Sequence, residues 1–386
     1  MKIEIDIYNS YLEVDLGQIK RNVEKIKAGI GADTDIIGVV KGNANGMGLV
    51  EVGKHLVENC GIKILGCASV FEGVTLRDAG VDGEILVMGG IPCHIAAAVV
   101  KYGLQTPAYD MEYLKLLDIE AEKAGKKALV HIKVETGLNR IGVKPGDDME
   151  ALCSFLKSLN HIKVCGIFTH FIQSGNPDKT VTYEQMDKFS KAVSQVKAHG
   201  FELSYIHVAN SAASTWLKDP IVTHIRPGAL LYGFDDNFDE NMDTKNLFGL
   251  SEALSWRAYI TNVKTIQAGE SAGYDRYFKA TKPTDIATVS IGYGDGYTRT
   301  LGTSGKGEML VNGKRAKVVA ICMDQLFLDV TGIPAKTNDI VTVLGKDGED
   351  CISVLGLQKR MNQTHLALIS VITNRVGRKY IRTSDQ

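Results

Sequence analysis

The sequence lacks several features that would place it in a membrane or on a nucleic acid. No apolar run approaches the ~18 residues that a membrane-spanning helix needs. The segment from Met1 to Ile7 alternates polar and apolar residues, so we expect no signal peptide. The formal net charge is only −1, and basic residues are not interleaved with aromatic ones. We therefore expect neither a nucleic acid nor an anionic membrane as a partner.

Cysteine and histidine are present, but without the spacings that build disulfide frameworks or metal sites. The seven cysteines are scattered, odd in number and contain no C-x-x-C pair. The nine histidines show no metal-ligand spacing. We therefore expect reduced thiols, no bound metal and a cytoplasmic location.

Short apolar runs alternate with amphipathic stretches over the first two thirds of the chain. The runs predict eight strands, at residues 38–41, 66–70, 85–89, 105–109, 129–134, 166–170, 205–209 and 223–226. Segments 111–126 and 183–200 between them have helical periodicity. Nearly continuous apolar strands that alternate with helices imply a parallel sheet covered on its faces. The fold class is therefore α/β, with an N-terminal (β/α)8 barrel.

The pattern changes after a polar, acidic segment, residues 234–247, which is typical of a linker. Beyond it, alternation and turns dominate, and Asn312-Gly313 is a strong hairpin signal. We predict a barrel domain over 10–235 and a mostly β C-terminal domain over 248–386, with 1–9 as a candidate addition. A further apolar run, 11–15, precedes the barrel strands, and we expect it to pair elsewhere, with the second domain as the candidate.

Lys41 ends the first barrel run and opens a small, polar stretch that extends to Gly48. Taken alone, such a lysine is more often a solvated residue just past a strand. In a barrel, however, it would lie at the C-terminal end of a strand, where barrel enzymes carry out their chemistry. Burial and nearby positive charge would lower its pKa, and a neutral amine can form a Schiff base or take a proton.

Other strand ends of the predicted barrel also carry polar or small residues: Arg140, His170, Asn210, Ser211, Arg226 and Gly228. Each has an ordinary explanation, since His170 could be a satisfied core histidine and Arg226 could cap a strand. Their convergence on one rim is much less expected by chance. A lysine, an arginine and small residues after the last two strands point to pyridoxal 5′-phosphate as a cofactor. An arginine opposite the pyridine nitrogen would weaken the electron sink and discourage transamination.

A set of motifs then occurs in a fixed order along the chain, at residues 39–44, 133–142, 169–171, 209–213, 226–233, 269–274, 292–299, 322–325 and 375–378. With these motifs the chain resembles the alanine racemases, which are two-domain, fold-type III pyridoxal-phosphate enzymes. The resemblance extends from about residue 11 to 380, nearly the whole chain. Each motif alone is weak, but the ordered set is very specific.

The resemblance implies roles for the matching residues. Lys41 would form the Schiff base and act as one acid/base, and Tyr274 would be the base on the opposite face. In this family the tyrosine enters the active site of the partner subunit, so a homodimer with shared active sites is implied. Cofactor contacts are implied for His170, Asn210, Ser211, Arg226, Gly228 and Ala229, with Arg226 at the pyridine nitrogen. Substrate contacts are implied for Arg140, Tyr293 and the backbone N–H of Met323.

Several positions depart from the family pattern. Asn45 and Leu366 replace tyrosines, Met47 replaces a histidine, and Gly175 and Ala320 replace an acidic and a basic residue of the substrate corridor. All five changes make the entry roomier and less charged. Pocket fit is worth only about 1–3 kcal/mol per methylene, so specificity relaxes easily. We therefore expect a racemase of L- and D-amino acids, with alanine first and serine, ornithine, lysine or arginine as alternatives.

Two other functions deserve comparison with racemisation. A fold-type III decarboxylase of ornithine, arginine or lysine also joins a barrel to a β domain, and the Cys322–Asp324 segment superficially resembles its site. Decarboxylases lack the motif that ends in Tyr274, and they generally pair the pyridine nitrogen with an acid rather than an arginine. A non-catalytic cofactor carrier resembles a lone barrel, so the second domain argues against it. Racemisation therefore ranks first.

Overall fold

The computed structural model describes residues 7–235, 237, 245–361 and 364–384. The chain forms two compact units, defined here as the barrel unit (20–44 and 48–251) and the β unit (1–19, 45–47 and 252–386). Residues 236 and 238–244 of the predicted linker lie outside the described residues, as do residues 1–6 of the candidate N-terminal addition.

Strands are numbered along the chain, beginning with β1 (Ser10–Asp15) in the β unit. The barrel unit contains the next eight: β2 (Asp35–Val39), β3 (Ile64–Cys67), β4 (Glu84–Val87), β5 (Thr106–Ala108), β6 (Ala128–Lys133), β7 (Ile162–Phe168), β8 (Tyr205–His207) and β9 (His224–Ile225). All of them pair in parallel, in the order β4-β3-β2-β9-β8-β7-β6-β5. A parallel bridge between Leu86 and Gln105 joins the two edge strands. The predicted (β/α)8 barrel is confirmed.

Helices alternate with the barrel strands. They are α1 (Leu16–Ile30), α2 (Leu49–Cys60), α3 (Val70–Asp78), α4 (Ala96–Tyr102), α5 (Met111–Lys123), α6 (Asp147–Ser158), α7 (Thr180–Ala198) and α8 (Ser211–Ser214). Their ends follow local chemistry: Asp110 caps α5 by accepting from the Tyr113 N–H at 3.0 Å, and Gly61 ends α2 in the left-handed region. The long helices bury one apolar face, as α2 does with Val52 and Leu56.

The β unit is built around a nine-stranded sheet. Its later strands are β10 (Leu254–Ile266), β13 (Thr284–Val289), β14 (Glu308–Val311), β15 (Lys314–Ile321), β16 (Leu326–Asp329), β17 (Ile340–Asp347), β18 (Asp350–Ile352) and β19 (Gly377–Ile381), and a separate two-stranded sheet is formed by β11 (Ser271–Ala272) and β12 (Phe278–Lys279). Short helices α9 (Arg299–Thr303), α10 (Val354–Met361) and α11 (His365–Ile369) complete it. Asn312 and Gly313, both at positive φ, form the two-residue turn of the predicted hairpin between β14 and β15.

Strand β1 marks a difference from the predicted domain boundaries. It pairs antiparallel with β10, Tyr11 opposite Arg257, and parallel with β19, Tyr11 opposite Gly377. Both edges of β1 are therefore satisfied inside the β unit, which holds residues 10–19 although we predicted that the barrel domain begins at residue 10. In the described ranges, no helix is both long and apolar enough to cross a membrane.

Candidate active site

The C-terminal rim of the barrel carries the polar residues that the sequence analysis singled out. Lys41 follows β2, Arg140 follows β6, His170 follows β7, Ser211 follows β8 and Arg226 follows β9. Because parallel strands end at the same rim, all of these residues lie around one barrel mouth. Some of these residues also interact electrostatically, because the charges of Arg140 and Arg226 contribute to the lowered pKa of Lys41.

The amine of Lys41 is partly desolvated and surrounded by positive charge. Its side chain is exposed at the barrel mouth, yet the surrounding protein desolvates the amine, and this is the largest effect that lowers its pKa below 10.5. The positive charges of Arg140 and Arg226 lower the pKa further, against a smaller opposing effect of Glu72. Within the described residues, no carboxylate forms an ion pair with this amine, so more of it is neutral near neutral pH than in a free lysine.

We expect the charge of Arg140 to be measurable in the reactivity of Lys41. In Arg140→Gln the pKa of Lys41 should rise, because a positive charge that disfavours the ammonium form is removed. Labelling of the cofactor-free protein by an amine-specific reagent, followed by peptide mass spectrometry across a pH series, measures the midpoint. It should move to higher pH in Arg140→Gln and stay unchanged in the control Lys144→Gln. An equal shift in both variants would contradict the local effect.

The segment after Lys41 is a left-handed turn that the sequence analysis did not predict. Gly42, Asn43 and Ala44 have φ of 65°, 55° and 53°. This conformation costs about 1–2 kcal/mol for each residue other than glycine. The carboxylate of Glu72 stabilises the turn by accepting from the N–H groups of Gly42 at 2.7 Å and Asn43 at 3.4 Å.

Glu72 is thus a site residue that sequence reasoning missed. A signal exists, because Ser69 and Glu72 form the S-x-x-E pattern of a capping box, and the Glu72 N–H does donate to the Ser69 hydroxyl at 3.3 Å. The pattern predicts a helix start, and α3 does begin there. It does not predict that the carboxylate reaches the turn beside Lys41, since that contact joins the first turn of α3 to the loop that follows β2.

Arg226 is held in the barrel mouth by many acceptors. Its Nη1 donates to the His207 carbonyl at 2.7 Å and lies 3.2 Å from His207 Nδ1. Its Nη2 donates to the carbonyls of Thr169 at 2.8 Å and Val208 at 3.0 Å, and lies 3.3 Å from His170 Nδ1. Within the described residues, the Nε–H is the donor left without an acceptor. The guanidinium is therefore fixed from behind, with one N–H still available.

Burial, together with the positive charge in the mouth, keeps His170 neutral. Burial, followed by the charges of Arg226 and Arg140, lowers the pKa of His170 to about 2. Burial also lowers the pKa of Arg226 to about 9, with a further contribution from Arg140. A neutral His170 can accept a hydrogen bond at Nδ1 from the guanidinium. The side chain belongs to the rim network and is not an isolated core histidine.

The ends of β8 and β9 come together in a set of backbone donors. Ser211 is the first residue of α8, and Ala229 is the first residue of a short 3-10 helix, so neither N–H has a partner within its helix. The N–H of Gly228 donates to the Ser211 hydroxyl at 3.0 Å, which joins the two segments. Asn210 caps α8 by accepting from the Ala213 N–H at 3.1 Å. Such paired helix starts are suited to a phosphate group.

Lys133 lies below the rim at the end of β6. It is 2% exposed, and its Nζ donates to the Val134 carbonyl at 2.8 Å. Burial and the charge of Arg226 lower the pKa of this amine to about 8, although Glu135 opposes the shift. An amine that is partly neutral near neutral pH is available for modification, and this one also lies 5.4 Å from the centroid of the Phe168 ring.

In the β unit, Tyr274 lies at the tip of a hairpin. It begins a short 3-10 helix, Tyr274–Arg276, between β11 and β12, and its side chain is 71% exposed. The preceding Gly273 has φ of 78°, and a Cβ at that residue would lie 2.4 Å from the Cβ of Ala320. Tyr274 is therefore presented outward from a turn that packs closely on β15.

We expect this packing to be visible as a stability difference. Gly273→Ala and Gly269→Ala both place alanine at positive φ, but a Cβ at Gly269 meets nothing within 4 Å. Gly273→Ala should therefore lower the free energy of unfolding by about 1–3 kcal/mol more than Gly269→Ala. Urea unfolding measures the difference. The double variant Gly273→Ala/Ala320→Gly should recover most of it, and a double variant without any recovery would contradict the contact.

Two more loops of the β unit carry Tyr293 and Met323. The Tyr293 N–H donates to the Cys322 carbonyl at 3.2 Å, and the Gly294 N–H donates to the Met323 carbonyl at 2.7 Å. A Cβ at Gly292 would lie 2.3 Å from the Met323 oxygen, so a residue with a side chain would not fit at this position. Among the described residues, the Met323 N–H has no acceptor. The two loops thus form one surface with an open backbone donor.

Asp295 is a second residue that sequence reasoning did not single out. Its carboxylate is buried, accepts from the Gly292 N–H at 2.8 Å and forms an ion pair with Arg375 Nε at 2.8 Å. It therefore fixes the turn that carries Tyr293. The sequence signal was its place inside the motif 292–299, but only the structure shows that it joins this motif to Arg375.

The predicted site residues thus fall into two sets, one at the barrel mouth and one on loops of the β unit. Comparison with known proteins explains why both sets occur in one chain. The family model described as alanine racemase, N-terminal domain, matches residues 14–236, and the model described as alanine racemase, C-terminal domain, matches residues 253–380. The chain belongs to the alanine racemase family.

Individual members of this family are similar over their full length. An alanine racemase of Methanococcus maripaludis is 34% identical over 373 residues, which cover 96% of this chain and 98% of that protein. One from Clostridium perfringens is 34% identical over 385 residues, with 99% and 98% covered. The solved alanine racemase of Clostridium difficile 630 has a TM-score of 0.89 at 29% identity, covering 99% of this chain and 97% of that one.

Two of the positions that depart from the family pattern, Asn45 and Met47, are well packed. Met47 is fully buried, and its carbonyl accepts from the Tyr380 hydroxyl at 3.1 Å. Asn45 is 9% exposed and continues the left-handed turn with φ of 53°. Arg378 fixes the segment between them through the Gly46 carbonyl, at 3.0 Å from Nε and 2.8 Å from Nη2. These substitutions therefore belong to an ordered loop and not to a loosened one.

Proposed function

We propose that this protein is a pyridoxal-phosphate-dependent racemase that interconverts L- and D-alanine. One observation carries the proposal: the barrel mouth combines an amine of lowered pKa, Lys41, with a buried arginine, Arg226, whose Nε–H remains available. A decarboxylase of this fold type would be expected to place an acid where Arg226 lies. Membership in the alanine racemase family supports the same reaction.

The residues at the barrel mouth fit this cofactor by their donor chemistry. The amine of Lys41 can form a Schiff base with an aldehyde. For a phosphate, Ser211 supplies a hydroxyl and a backbone N–H, and Ala229 supplies a backbone N–H. Gly228 joins the two segments because its N–H donates to the Ser211 hydroxyl, and Asn210 caps the helix that begins at Ser211. Arg226 supplies a donor for the pyridine nitrogen, and His170 lies against Arg226. When bound, the cofactor supplies an electron sink for the pair of electrons released at the α-carbon.

The chain's own residues must move a proton on each face of the α-carbon. Lys41 is proposed to hold or release the proton on one face, since its lowered pKa makes the neutral amine accessible. Tyr274 is proposed to do the same on the other face. Two fixed groups avoid the movement of one base from face to face, and they explain inversion of the stereocentre.

Tyr274 is proposed to act in the active site of a second copy of the chain, in a homodimer. Two facts support this proposal: the side chain is 71% exposed on a hairpin tip, and the resemblance to the family implies a shared site. The seven cysteines are all free thiols, which supports a reducing compartment such as the cytoplasm.

Three groups are proposed to contact the substrate. The open N–H of Met323 can bind a carboxylate, because a carboxylate needs donors and this N–H has no acceptor among the described residues. Arg140 adds positive charge at the barrel mouth. Tyr293 is 42% exposed beside Met323, so its ring is available to line the site.

A panel of L-amino acids tests the function and its specificity together. Purified holoenzyme is incubated with L-alanine, L-serine, L-ornithine, L-lysine and L-arginine, and both enantiomers are quantified by chiral chromatography while released CO2 is trapped. We expect kcat/KM to be highest for alanine, with no CO2. A higher value for a longer side chain would make that amino acid the preferred substrate and contradict the preference for alanine. Release of CO2 without racemisation would contradict the proposal.

A further inference from the structure

A chain of polar side chains crosses the interior of the barrel behind Arg226. His207 Nε2 lies 2.9 Å from His131 Nδ1, and His131 Nε2 lies 2.7 Å from Gln105 Oε1. The Gln105 amide nitrogen in turn donates to the carboxylate of Glu84. Together with the 3.2 Å contact between Arg226 Nη1 and His207 Nδ1, these contacts link the barrel mouth to an acidic group.

This chain of hydrogen bonds runs from one end of the barrel to the other. Arg226 follows the C-terminal end of β9, whereas Glu84 is the first residue of β4 and is exposed at the opposite rim. Between them, Gln105, His131 and His207 are 2%, 0% and 0% exposed. Interior positions of such barrels are usually filled by bulky branched residues. Buried polar groups stabilise a core only when every member has a partner.

Two backbone features make room for the chain. The pairing of β6 with β7 shifts register between Val130 and His131, so a bulge sets the direction of the His131 side chain. Opposite it, a Cβ at Gly166 would lie 2.4 Å from His131 Nδ1. The glycine leaves the space that the contact between His131 and His207 occupies. Both features lie in the backbone. Two side chains that happened to be neighbours would need neither of them.

The hydrogen-bond donors along this series of side chains can point in one direction only. Arginine has no acceptor, so His207 Nδ1 must accept, and the proton of neutral His207 must be on Nε2. His131 then accepts at Nδ1 and donates from Nε2 to the Gln105 oxygen, and Gln105 donates its amide N–H to Glu84. Burial lowers the pKa of His131 to about 3 and that of His207 well below 6.5, which keeps both rings neutral. One assignment therefore satisfies every link.

We propose that Glu84, Gln105 and His131 are positioning residues for Arg226. The carboxylate at the far rim fixes the tautomer of each imidazole in turn, so that Nδ1 of His207 remains an acceptor for the guanidinium. In the opposite tautomer, an N–H of His207 would face an N–H of Arg226 at 3.2 Å and displace it. Because Arg226 is proposed to donate to the pyridine nitrogen, this inference rests on the proposed function.

The test interrupts this chain of hydrogen bonds at two residues and compares the variants with a conservative change. Gln105→Met has nearly the shape of glutamine but no acceptor or donor. Glu84→Leu removes the terminal acceptor from an exposed position, where the carboxylate also accepts from the Tyr205 hydroxyl at 2.8 Å. Glu84→Gln keeps an acceptor oxygen. Asp35→Asn removes a carboxylate from the first residue of another barrel strand, β2, where it pairs with Lys63, and serves as the control.

Two quantities are measured on the holoenzymes. The first is the tautomer of His131 and His207 in protein labelled with 15N-histidine, with resonances assigned by single His→Gln variants. The second is the split between kcat and KM for alanine. Gln105→Met and Glu84→Leu should mix the tautomers and lower kcat about tenfold with KM unchanged, by analogy with the loss of groups that orient metal-binding histidines. Glu84→Gln and Asp35→Asn should retain a single tautomer and kcat within about twofold.

The outcomes separate this inference from the proposed function. The inference is overturned if wild-type His207 carries its proton on Nδ1, or if the tautomers stay single in both interrupted variants. It is also overturned if the tautomers mix while kcat is unchanged. The tautomers can be observed without turnover, so they decide the direction of the hydrogen bonds even in a protein that racemises nothing. Absence of racemisation would contradict only the proposed function.

Discussion

Replacement of Lys41 by alanine is expected to abolish racemisation, with a loss of at least about 10⁴-fold in kcat/KM. The reason is that the variant removes the amine proposed both to form the Schiff base and to carry a proton. The visible absorbance of the lysine–cofactor Schiff base should disappear at the same time. Chiral chromatography of L-alanine incubated with the variant measures the first effect, and a spectrum of the same sample measures the second.

The matched control for this prediction is Lys41→Arg. Arginine keeps the positive charge at the barrel mouth but stays protonated, so it can neither form a Schiff base nor take a proton. It should be as inactive as Lys41→Ala while its thermal stability stays close to that of the wild type. Racemisation above about one hundredth of the wild-type rate in either variant would show that Lys41 is not the essential amine.

Tyr274→Phe is expected to lower racemisation about 10²–10⁴-fold in both directions, because one of two proton-transfer groups is lost. Exchange of the α-proton with solvent should behave differently. Lys41 still serves one face, so one enantiomer of alanine should continue to exchange its α-proton in D2O, while the other should not. Proton NMR of each enantiomer, incubated separately, measures this asymmetry.

Tyr277→Phe is the control for Tyr274→Phe. Tyr277 lies three residues further along the same hairpin and is 57% exposed. The control variant therefore deletes a tyrosine hydroxyl that has a similar environment. Its racemisation should stay within about twofold of the wild type. If Tyr274→Phe exchanged the α-protons of both enantiomers equally fast, a single base would serve both faces, and the two-base account would be wrong.

Much of the fold was predictable because its signals are local. Apolar runs with helical stretches between them predict the parallel barrel, and the Asn312-Gly313 pair predicts its hairpin. The convergence of Lys41 and Arg226 also follows, since the ends of parallel strands meet at one rim whatever the sequence between them. The start of the barrel unit was less predictable, because β1 satisfies both of its edges with strands far away in sequence.

The contacts that were missed all depend on which strands are neighbours. Nothing in the sequence links Gln105 to His131 or His131 to His207, because those contacts depend on the order of β5 to β8 and on the bulge at His131. Glu72 carried a capping signal, but its contact with the turn at Gly42 depends on how the start of α3 packs against that turn. The sequence shows which residues lie at strand ends, and the structure shows what each one touches.

The proposed reaction of this chain is inversion of the α-carbon of alanine by proton transfer. The most direct test incubates wild-type holoenzyme with L-alanine in D2O and follows three products: D-alanine, alanine deuterated at the α-carbon, and CO2. We expect equal amounts of the two enantiomers at equilibrium, deuterium at the α-carbon of both and no CO2. CO2 release, or L-alanine that stays unchanged in configuration, would contradict it.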